Sequence, residues 1–422
     1  MTDNPAKRDG AEEPGASQPP PREGWLTAGV ASVGAASFFS DSGHEIATAL
    51  LPSLVTSILR ASAGALGLIE GLSDALMGVM KLVGGPLADD AGRRRRLATG
   101  GYIGTALATG ALGLVTAAWQ AGVLRALAWM ARGIRSPARD ALLSSLAPPR
   151  AYGRAFGVER AGDNLGAVVG PLTAAGLVRW IGIRPTIWCA AIPGVLAALA
   201  ISVAAVKAGD LPRALRQRGP IRLRQLRTAG LFRPMLPIVC FECGNTAVTL
   251  LILRATQLLH SNSRSLVAAT SVAILIYAGH NLAAAATAFA GGHWIDRSNP
   301  KVVFATGAAL YILAYGGFAF GPRSWQLLLV AFALAGGGIG LGETSESALV
   351  AAMAPDHLRG SAFGLLGGVQ AAGDVLSSVA VGLLYVSTSP EVAFAYAAGW
   401  MALSLGTSFL LRSRLRSSPT GT

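Results

Sequence analysis

Charged residues and cysteines are both scarce in this sequence. Asp, Glu, Lys and Arg make up 14% of its 422 residues, whereas soluble globular proteins carry about 25%. The three cysteines, Cys189, Cys240 and Cys243, all lie in apolar stretches, which excludes a disulfide framework. Cys240 and Cys243 are spaced as CxxC but lack a second pair, so we interpret them as small apolar residues. Because the sequence contains no metal-ligand cluster, nucleophile motif or nucleotide loop, we expect no enzyme, no metal and no cofactor.

Long apolar stretches, by contrast, are abundant. Hydrophobic residues make up 52% of the chain, and the mean hydropathy is +0.49. Twelve apolar stretches recur, each about 20 residues long, which is the length at which an α-helix crosses a bilayer. They are centred near residues 35, 75, 107, 130, 168, 195, 247, 279, 311, 336, 372 and 400. The sequence therefore predicts an all-α polytopic membrane protein with 12 transmembrane helices.

The net charge of +13 is distributed unevenly along the chain. If the amino terminus is cytoplasmic and each stretch spans once, 23 of the 35 lysines and arginines fall in cytoplasmic segments and five fall on the other side. The positive-inside rule then predicts that both termini are cytoplasmic. This distribution argues for the lipid bilayer of the plasma (inner) membrane, and against nucleic acid, as the partner of these charges.

The longest polar interruption divides the twelve stretches six and six. We predict two six-helix bundles, at 25–206 and 234–411, joined by a basic cytoplasmic linker at 207–233. This linker is either a solvated loop or in part an amphipathic helix on anionic lipid. Residues 1–24, rich in Pro, Gly and charge and without a cleavable signal, are predicted to be a disordered cytoplasmic tail, and 412–422 a second tail.

The two halves share two motifs at one fixed spacing. GGPLADD at 84–90 recurs as GGHWIDR at 291–297, an offset of 207 residues. APPRAYGRAFG at 147–157 recurs as APDHLRGSAFG at 354–364, again at 207. Two unrelated segments with the same offset indicate tandem duplication of a six-helix unit, as in the parallel repeats of some secondary transporters.

The first of these motifs also resembles a family signature. G-x-L-x-D-D-x-G-R-R, from Gly85 to Arg94, is similar to the major facilitator superfamily signature between helices two and three. G-x-x-I-D-R, from Gly292 to Arg297, falls where that family repeats the signature. The resemblance covers essentially the whole chain and implies two pseudo-symmetric six-helix bundles. It also implies a motif that locks the cytoplasmic side in one conformation and releases it in the other. The gating residues so implied are Gly85, Asp89, Gly92, Arg93, Arg94, Gly292, Asp296 and Arg297.

The first span carries two carboxyl groups, and ionisable residues inside a membrane are functional candidates. Asp41 and Glu45 are four residues apart and therefore share one helix face, with His44 beside them. Two carboxyls in a low dielectric can hold a shared proton at physiological pH. We predict that Asp41 and Glu45 carry the coupling proton. The alternative is a static salt bridge from this pair to a basic residue of another span.

The fourth span carries a stripe of arginines along one helix face. Arg125, Arg132, Arg135 and Arg139 follow one another at spacings of seven, three and four residues. Arg125 stands where the resembled family places an arginine linked to proton transfer. Two roles stay open for the others: they bind an anionic or zwitterionic substrate, or they form a gate against acids of the other half. For Arg139 a purely cytoplasmic helix end is a third reading. The predicted substrate and cavity residues are Arg132, Arg135, Arg160, Asp163, Glu343 and Glu346.

The fifth span contains G-x-x-x-G-P, formed by Gly166, Gly170 and Pro171. Small residues at this spacing allow close helix packing, and the proline bends the helix. The motif resembles the fifth-helix motif of antiporters in the same superfamily, where it accompanies export more than uptake.

These features together predict an alternating-access carrier. We expect proton-coupled export of a small organic molecule, anionic or amphipathic, by a monomer whose partners are that substrate, protons and the bilayer. Proton-coupled uptake by symport is the main alternative, and a non-transporting membrane receptor is a weaker one.

Overall fold

The structure of the protein, a computed structural model, describes residues 24–209 and 223–410. Nearly all of the two predicted tails and the middle of the predicted linker lie outside the described residues. The described residues are almost entirely helical; their one β-type contact is an isolated bridge between Ser261 and Arg264. The predicted domain boundaries stay a prediction, although a short helix, Leu223–Thr228, lies inside the predicted linker.

Within the described residues the helices form twelve spans, as the apolar stretches predicted. The amino-terminal half contains α1 (Ala28–Pro52), α2 (Ala63–Ala88), α3 (Ala91–Ala111), α4 (Ala118–Leu146), α5 (Tyr152–Ile181), α6 (Ile183–Cys189) and α7 (Ala191–Gly209). After α8 (Leu223–Thr228), the carboxy-terminal half contains α9 (Phe232–Gly244), α10 (Val248–Leu259), α11 (Leu266–Arg297), α12 (Pro300–Phe320), α13 (Trp325–Met353), α14 (Arg359–Ser387) and α15 (Pro390–Leu410). The pair α6–α7 forms the sixth span, and α9–α10 forms the seventh.

The spans of the two halves differ in how apolar they are. Seven spans, from α6–α7 to α15, have the length and the apolar composition needed to cross a membrane. The five helices α1–α5 are 21 to 30 residues long, but they carry most of the ionisable side chains inside the bundle. Because a buried charge is tolerated only when paired, these helices require an internal ion-pair network.

Short polar side chains mark where several helices begin. Each accepts a hydrogen bond from a backbone N–H of the first turn, which otherwise has no partner. At the end of α12, Gly321 adopts φ 66°, a left-handed conformation that glycine accommodates without strain. The capping residues are Thr27, Ser62, Asp90, Ser265 and Asn299.

The two halves pack through α2 against α14 and through α5 against α11. A Cβ on Gly85 would lie 2.8 Å from the carbonyl oxygen of Gly360 and 2.9 Å from the Cα of Gly364. At the other crossing, a Cβ on Gly157 would lie 2.5 Å from the carbonyl oxygen of Ala288 and 3.2 Å from the Cα of Gly292. The glycines therefore permit direct backbone contact between the halves.

These two crossings are copies of one another. Gly85 and Gly292 occupy equivalent positions 207 residues apart, as do Gly157 and Gly364. The aromatic rings of the equivalent residues Phe156 and Phe363 meet, with centroids 5.6 Å apart. A residue in contact with its own counterpart lies beside a two-fold axis, so the duplicated sequence has folded into two pseudo-symmetric bundles, as predicted.

The contacts between the halves are concentrated at one face. We call it the terminal face, because it bears the start of α1, the end of α15 and the α2–α3, α4–α5, α11–α12 and α13–α14 connections. Toward the opposite face, glycines of α2, α5 and α14 have no atom of another helix within reach of an added Cβ: Gly64 meets only Ser62, and Gly67, Gly71, Gly176 and Gly382 meet nothing within 4 Å. The halves are closed together at the terminal face.

Candidate functional site

The arginine stripe of α4 meets the first predicted acid of α1. Arg132 binds Asp41 through both carboxylate oxygens, with N···O distances of 2.8 and 3.1 Å. Arg135, three residues on, donates to Ser40 Oγ at 2.8 Å, and its guanidinium carbon lies 3.7 Å from the centroid of the Tyr102 ring. The structure thus brings Asp41 and Arg132 together as a buried bidentate ion pair, in which each side chain compensates the charge of the other.

Arg139 is the centre of a second buried cluster. Its guanidinium lies 2.6 Å from Glu159, 2.9 Å from Asp140 and 3.5 Å from Asp163. Glu159 has no exposed surface and also accepts a hydrogen bond from Ser37 Oγ at 2.9 Å. Arg139 therefore compensates acids of α4 and α5 in its own half, and among the described residues it forms no ion pair with Glu343 or Glu346.

Arg125 lies at the far end of the stripe and is 1% exposed. It binds Glu70 of α2 at 3.0 Å, donates to Thr48 Oγ1 at 3.1 Å and stacks on the Trp129 ring at 3.4 Å. Trp129 in turn donates its indole N–H to Asp74 Oδ1 at 2.7 Å. Two acids of α2 are thereby fixed against α4.

Glu45 differs from Asp41, Glu70 and Glu159, acids of the amino-terminal half that each have a guanidinium within 3.0 Å. Among the described residues it has no arginine or lysine partner; its one ion-pair contact is His44 Nε2 at 3.5 Å. The Glu45 side chain is 27% exposed, whereas that of Asp41 is 10% exposed. Of the two predicted proton carriers, Glu45 is the one that is accessible and not held by a guanidinium.

The antiporter-like motif of α5 is what allows these acids to sit where they do. A Cβ on Gly166 would lie 2.9 Å from the Asp41 Cβ, and one on Gly170 would lie 2.5 Å from the Glu45 Cβ. Pro171 follows inside α5. The two glycines therefore form the wall against which the α1 carboxyls are packed, a role that their spacing in the sequence did not reveal.

Arg160 links the two halves at the centre of the molecule. Its guanidinium lies 3.6 Å from Glu343 of α13, 3.5 Å from Glu159 and 3.6 Å from Asp163. The predicted cavity residues Arg160, Asp163 and Glu343 are thus brought together.

The carboxy-terminal half holds its own acids, and sequence reasoning missed one of them. Glu242 of α9 is 2% exposed and accepts from Asn245 Nδ2 at 3.3 Å. Asn245 also donates to Asp374 Oδ1 at 3.3 Å and accepts from the Tyr311 hydroxyl at 3.1 Å. The sequence did contain a signal for Glu242, because it is a single acid within the seventh apolar stretch. Among the described residues, no group of three or more His, Cys, Asp or Glu has an arrangement suited to a metal ion.

A central cavity of about 530 Å³ lies between α2 and the carboxy-terminal half. It continues toward the terminal face into a smaller space of about 160 Å³, which contains Arg132, Arg160 and Gln370. The cavity combines carboxylates with aromatic and aliphatic surface, as binding sites for small organic molecules do. Its lining includes Asp74, His280, Tyr311, Glu343, Asp374 and Val375.

The predicted gating residues lie where the halves close at the terminal face. Asp89 accepts the backbone N–H of Ser361 at 2.8 Å and the Ser361 hydroxyl, at the amino end of α14. Its counterpart Asp296 accepts the N–H of Gly153 at 2.7 Å and binds Arg154 at 2.7 Å, at the amino end of α5. Both carboxylates thus cap a helix of the other half and favour its dipole. Burial raises the pKa of Asp89 above its usual value, against the lowering by the Ser361 hydrogen bonds.

The remaining motif residues occupy the same turn. Arg94 is buried and donates to the carbonyl oxygens of Ala88 at 2.9 Å and Ala141 at 3.3 Å, which joins α3 to α4. Arg93 donates its backbone N–H to Asp90, Gly92 lies in the first turn of α3, and Arg297 is exposed.

Comparisons with known proteins agree with this architecture. The family model of the Major Facilitator Superfamily matches residues 33–278 and 238–421. An uncharacterised protein of Mycobacterium bovis is 32% identical over 364 residues, 83% of this chain and 86% of that one. An uncharacterised MFS-type transporter of Methanocaldococcus jannaschii is 27% identical over 374 residues, 88% of this chain and 92% of that one. The crystal structure of a bacterial homologue of the iron transporter ferroportin, in an outward-facing state, superposes with a TM-score of 0.73 at 13% identity, covering 91% of this chain and 99% of that one.

Two pseudo-symmetric six-helix bundles around a central polar cavity define a membrane transporter of the two-bundle class. The chain belongs to the Major Facilitator Superfamily, as its duplicated motif indicated.

Proposed function

We propose that this protein is a proton-coupled exporter of a small amphipathic organic molecule, acting as a monomer in the plasma membrane with both termini in the cytoplasm. On this topology the closed terminal face is the cytoplasmic face, and the structure corresponds to an outward-facing state. Release of the Asp89 and Asp296 caps would let the bundles rock apart at that face and expose the central cavity to the cytoplasm.

The observation that carries the proton coupling is the position of Glu45. Asp41, Glu70 and Glu159 each have a guanidinium within 3.0 Å, so their charges are compensated in this state. Glu45 has no guanidinium partner among the described residues and is partly exposed, so it can take up and release a proton without displacing an arginine. Asp41 then acts through Arg132, which it releases only when it is itself protonated.

The geometry also bears on the substrate. The guanidiniums of Arg132 and Arg139 are occupied by carboxylates, so an anionic substrate would have to displace those carboxylates. The central cavity instead presents carboxylates beside Tyr311, Leu251 and Val375. These surfaces support an amphipathic rather than a purely anionic molecule.

A transport experiment tests the proposal. Ligands are first found by thermal stabilisation of the purified protein across a metabolite panel, and inverted membrane vesicles are then given an imposed pH gradient with a stabilising compound. We expect gradient-driven accumulation of the compound in these vesicles. Glu45→Gln should abolish that accumulation and retain counterflow exchange of the same compound, because exchange needs no net proton movement.

The control is Glu391→Gln, a change at an exposed acid outside the cavity. Gln keeps an oxygen that can accept the hydrogen bond of Arg254, the partner of Glu391, so this variant should transport like the parent protein. Accumulation that depends on the gradient in the opposite sense would indicate uptake by symport. Unchanged gradient-driven accumulation by Glu45→Gln would refute the assignment of the proton to this residue.

A further inference from the structure

Glu346 of α13 is a buried acid that the proposed coupling does not use. It is 0% exposed, and its Oε2 accepts a hydrogen bond from Gln370 Nε2 at 3.0 Å. Its other oxygen, Oε1, is buried and has no hydrogen-bond partner among the described residues. Glu346 forms no ion pair with any residue that the structure describes.

None of the described cations near Glu346 forms an ion pair with it. The cations and acids of the neighbouring helices are largely engaged elsewhere: Arg160 with Glu343, Arg139 with Glu159, and Asp296 with Arg154. The charged and titratable groups that α13 and the helices around it carry on this side are Glu343 of α13 itself, Glu242 of α9, Asp296 of α11, Lys301 of α12, Asp374 of α14, Arg139 of α4 and Arg160 of α5.

A carboxylate buried without a cation is expensive by several kcal/mol or more, and such a group takes up a proton instead. The hydrogen bond from Gln370 identifies Oε2 as the acceptor oxygen. We place the acidic O–H on Oε1, the oxygen that has no hydrogen-bond partner in the described part of the chain.

A side pocket lined by Glu346 opens between α9, α12, α13 and α15. Its inner end includes Ser345, which is 1% exposed and whose hydroxyl also lacks a hydrogen-bond partner in the part of the chain that the structure describes. Its rim is formed by the partly exposed residues Pro234, Pro300 and Lys301, at the terminal-face ends of α9 and α12. The free volume for the centres of water-sized molecules is about 20 Å³, and one water requires roughly 10–15 Å³. A water there would find two oxygens, Glu346 Oε1 and Ser345 Oγ, that lack partners.

We propose that Glu346 is a second proton-binding site of this transporter and that the side pocket is its path to the terminal face, separate from the substrate cavity. In the release step the O–H bond of the Glu346 acid breaks, its electron pair stays on the carboxylate, and the proton passes to the pocket water and from there to bulk solvent. Gln370 also lines the smaller space of about 160 Å³, beside Arg160. Through its hydrogen bond to Glu346, it connects the occupancy of that space to the protonation of the acid. The role of this proton in export rests on the proposed function, whereas the site itself does not.

Infrared difference spectroscopy of the full-length protein in liposomes, taken through a pH titration, tests the site without any substrate. We expect Glu346→Gln to lose one carbonyl band of a protonated carboxylic acid, and the exposed-site control Glu391→Gln to keep it. An unchanged set of bands in Glu346→Gln would overturn the proposal. If that variant does not fold, Glu346→Asp is used instead, and it should shift the same band rather than leave it in place.

The path is tested by filling the pocket. Ser408 lines the pocket and Thr407, one residue before it, does not. After transfer into D₂O, Ser408→Met should slow the deuterium shift of the Glu346 band, while Thr407→Met should not. Equal rates in the two variants would overturn the path. Neither infrared experiment measures transport. A negative result in them therefore does not bear on the transport experiment with Glu45→Gln, and a negative result in that transport experiment does not bear on the Glu346 band.

Discussion

At one equivalent position the two halves of this protein carry opposite kinds of polar pair. In the amino-terminal half Arg139 lies 3.5 Å from Asp163; 207 residues on, Glu346 accepts a hydrogen bond from Gln370 at 3.0 Å. The helices themselves are in register, since α4 spans Ala118–Leu146 and α13 spans Trp325–Met353. The duplicated fold has thus been kept while its polar interior has diverged, here into an ion pair in one half and an acid without an ion pair in the other.

The difference also explains why α1–α5 are less apolar than the spans that follow. An ion pair inside a bundle is stable only with both partners present, because loss of one leaves an uncompensated charge. An isolated acid can instead become neutral by binding a proton. At this position the amino-terminal half is therefore suited to hold a fixed geometry, and the carboxy-terminal half is suited to change its charge. Glu45 of α1, which has no guanidinium partner among the described residues, is the acid of the amino-terminal half that departs from this contrast.

The largest difference in stability between the halves is expected when the cation at this position is removed. Arg139→Leu leaves Asp140 buried without a guanidinium and Glu159 with only the longer contact to Arg160, 3.5 Å, which we expect to lower stability by about 3–5 kcal/mol. The matched change in the other half, Glu346→Leu, removes a single neutral hydrogen bond and should cost about 1 kcal/mol. Thermal unfolding of the two purified variants by fluorescence-detected size exclusion measures the difference. Equal destabilisation would show that the two halves do not differ in this way.

The two halves share close helix packing at equivalent glycines, although their charges differ. A second pair of variants tests this. Gly166 lies against Asp41, and its counterpart Gly373 lies against Glu242, where an added Cβ would be 2.8 Å from the Glu242 carbonyl carbon. Gly166→Val and Gly373→Val should each destabilise the protein by about 1–3 kcal/mol, because overpacking forces the helices apart.

The control for this pair is Gly176→Val on α5, where nothing lies within 4 Å of an added Cβ. Its melting temperature should stay near that of the parent protein. If only one of the two buried glycines were sensitive, the equivalence of the packing in the two halves would be lost.

The sequence could predict those features of the fold and site that repeat or that follow from helix geometry. The 207-residue offset predicted the two bundles, and the family resemblance implied that Asp89 and Asp296 belong to a motif that closes one side of the molecule. The spacing of Asp41 and Glu45 predicted a shared face, with a salt bridge as the stated alternative to proton binding.

Partner choice between helices could not be obtained in this way. The sequence identified the four arginines of the stripe and several acids on other spans. Which acid meets which arginine, however, depends on the rotation and separation of α1, α4 and α5. Arg160 of α5, rather than Arg139 of the stripe, reaches Glu343, although the stripe was one candidate for a gate against acids of the other half. Glu242 was missed because its contacts, Asn245 and Gly373, are brought together by the α9–α10 break and by α14, more than 100 residues away.

The smallest expected effect concerns the two helix-capping carboxylates at the terminal face, which differ only in the groups that they bind. Asp296 accepts two backbone N–H groups and also binds the Arg154 guanidinium, whereas Asp89 accepts one N–H group and one hydroxyl. Loss of a helix-capping carboxylate costs about 0.5–2 kcal/mol. We expect Asp296→Asn to fall at the upper end of that range and Asp89→Asn at the lower end.

Both changes should shift the population toward molecules that are open at the terminal face, Asp296→Asn by more. Spin labels attached after Arg150→Cys and Ser298→Cys, two exposed positions at the ends of α5 and α11, report the separation of the halves by pulsed electron resonance once the three native cysteines have been replaced. A longer-distance population that is larger for Asp296→Asn than for Asp89→Asn would show that the ion pair adds to the cap. Equal populations would mean that the two caps contribute alike, so that the asymmetry of the halves is confined to their interiors and does not extend to the terminal face.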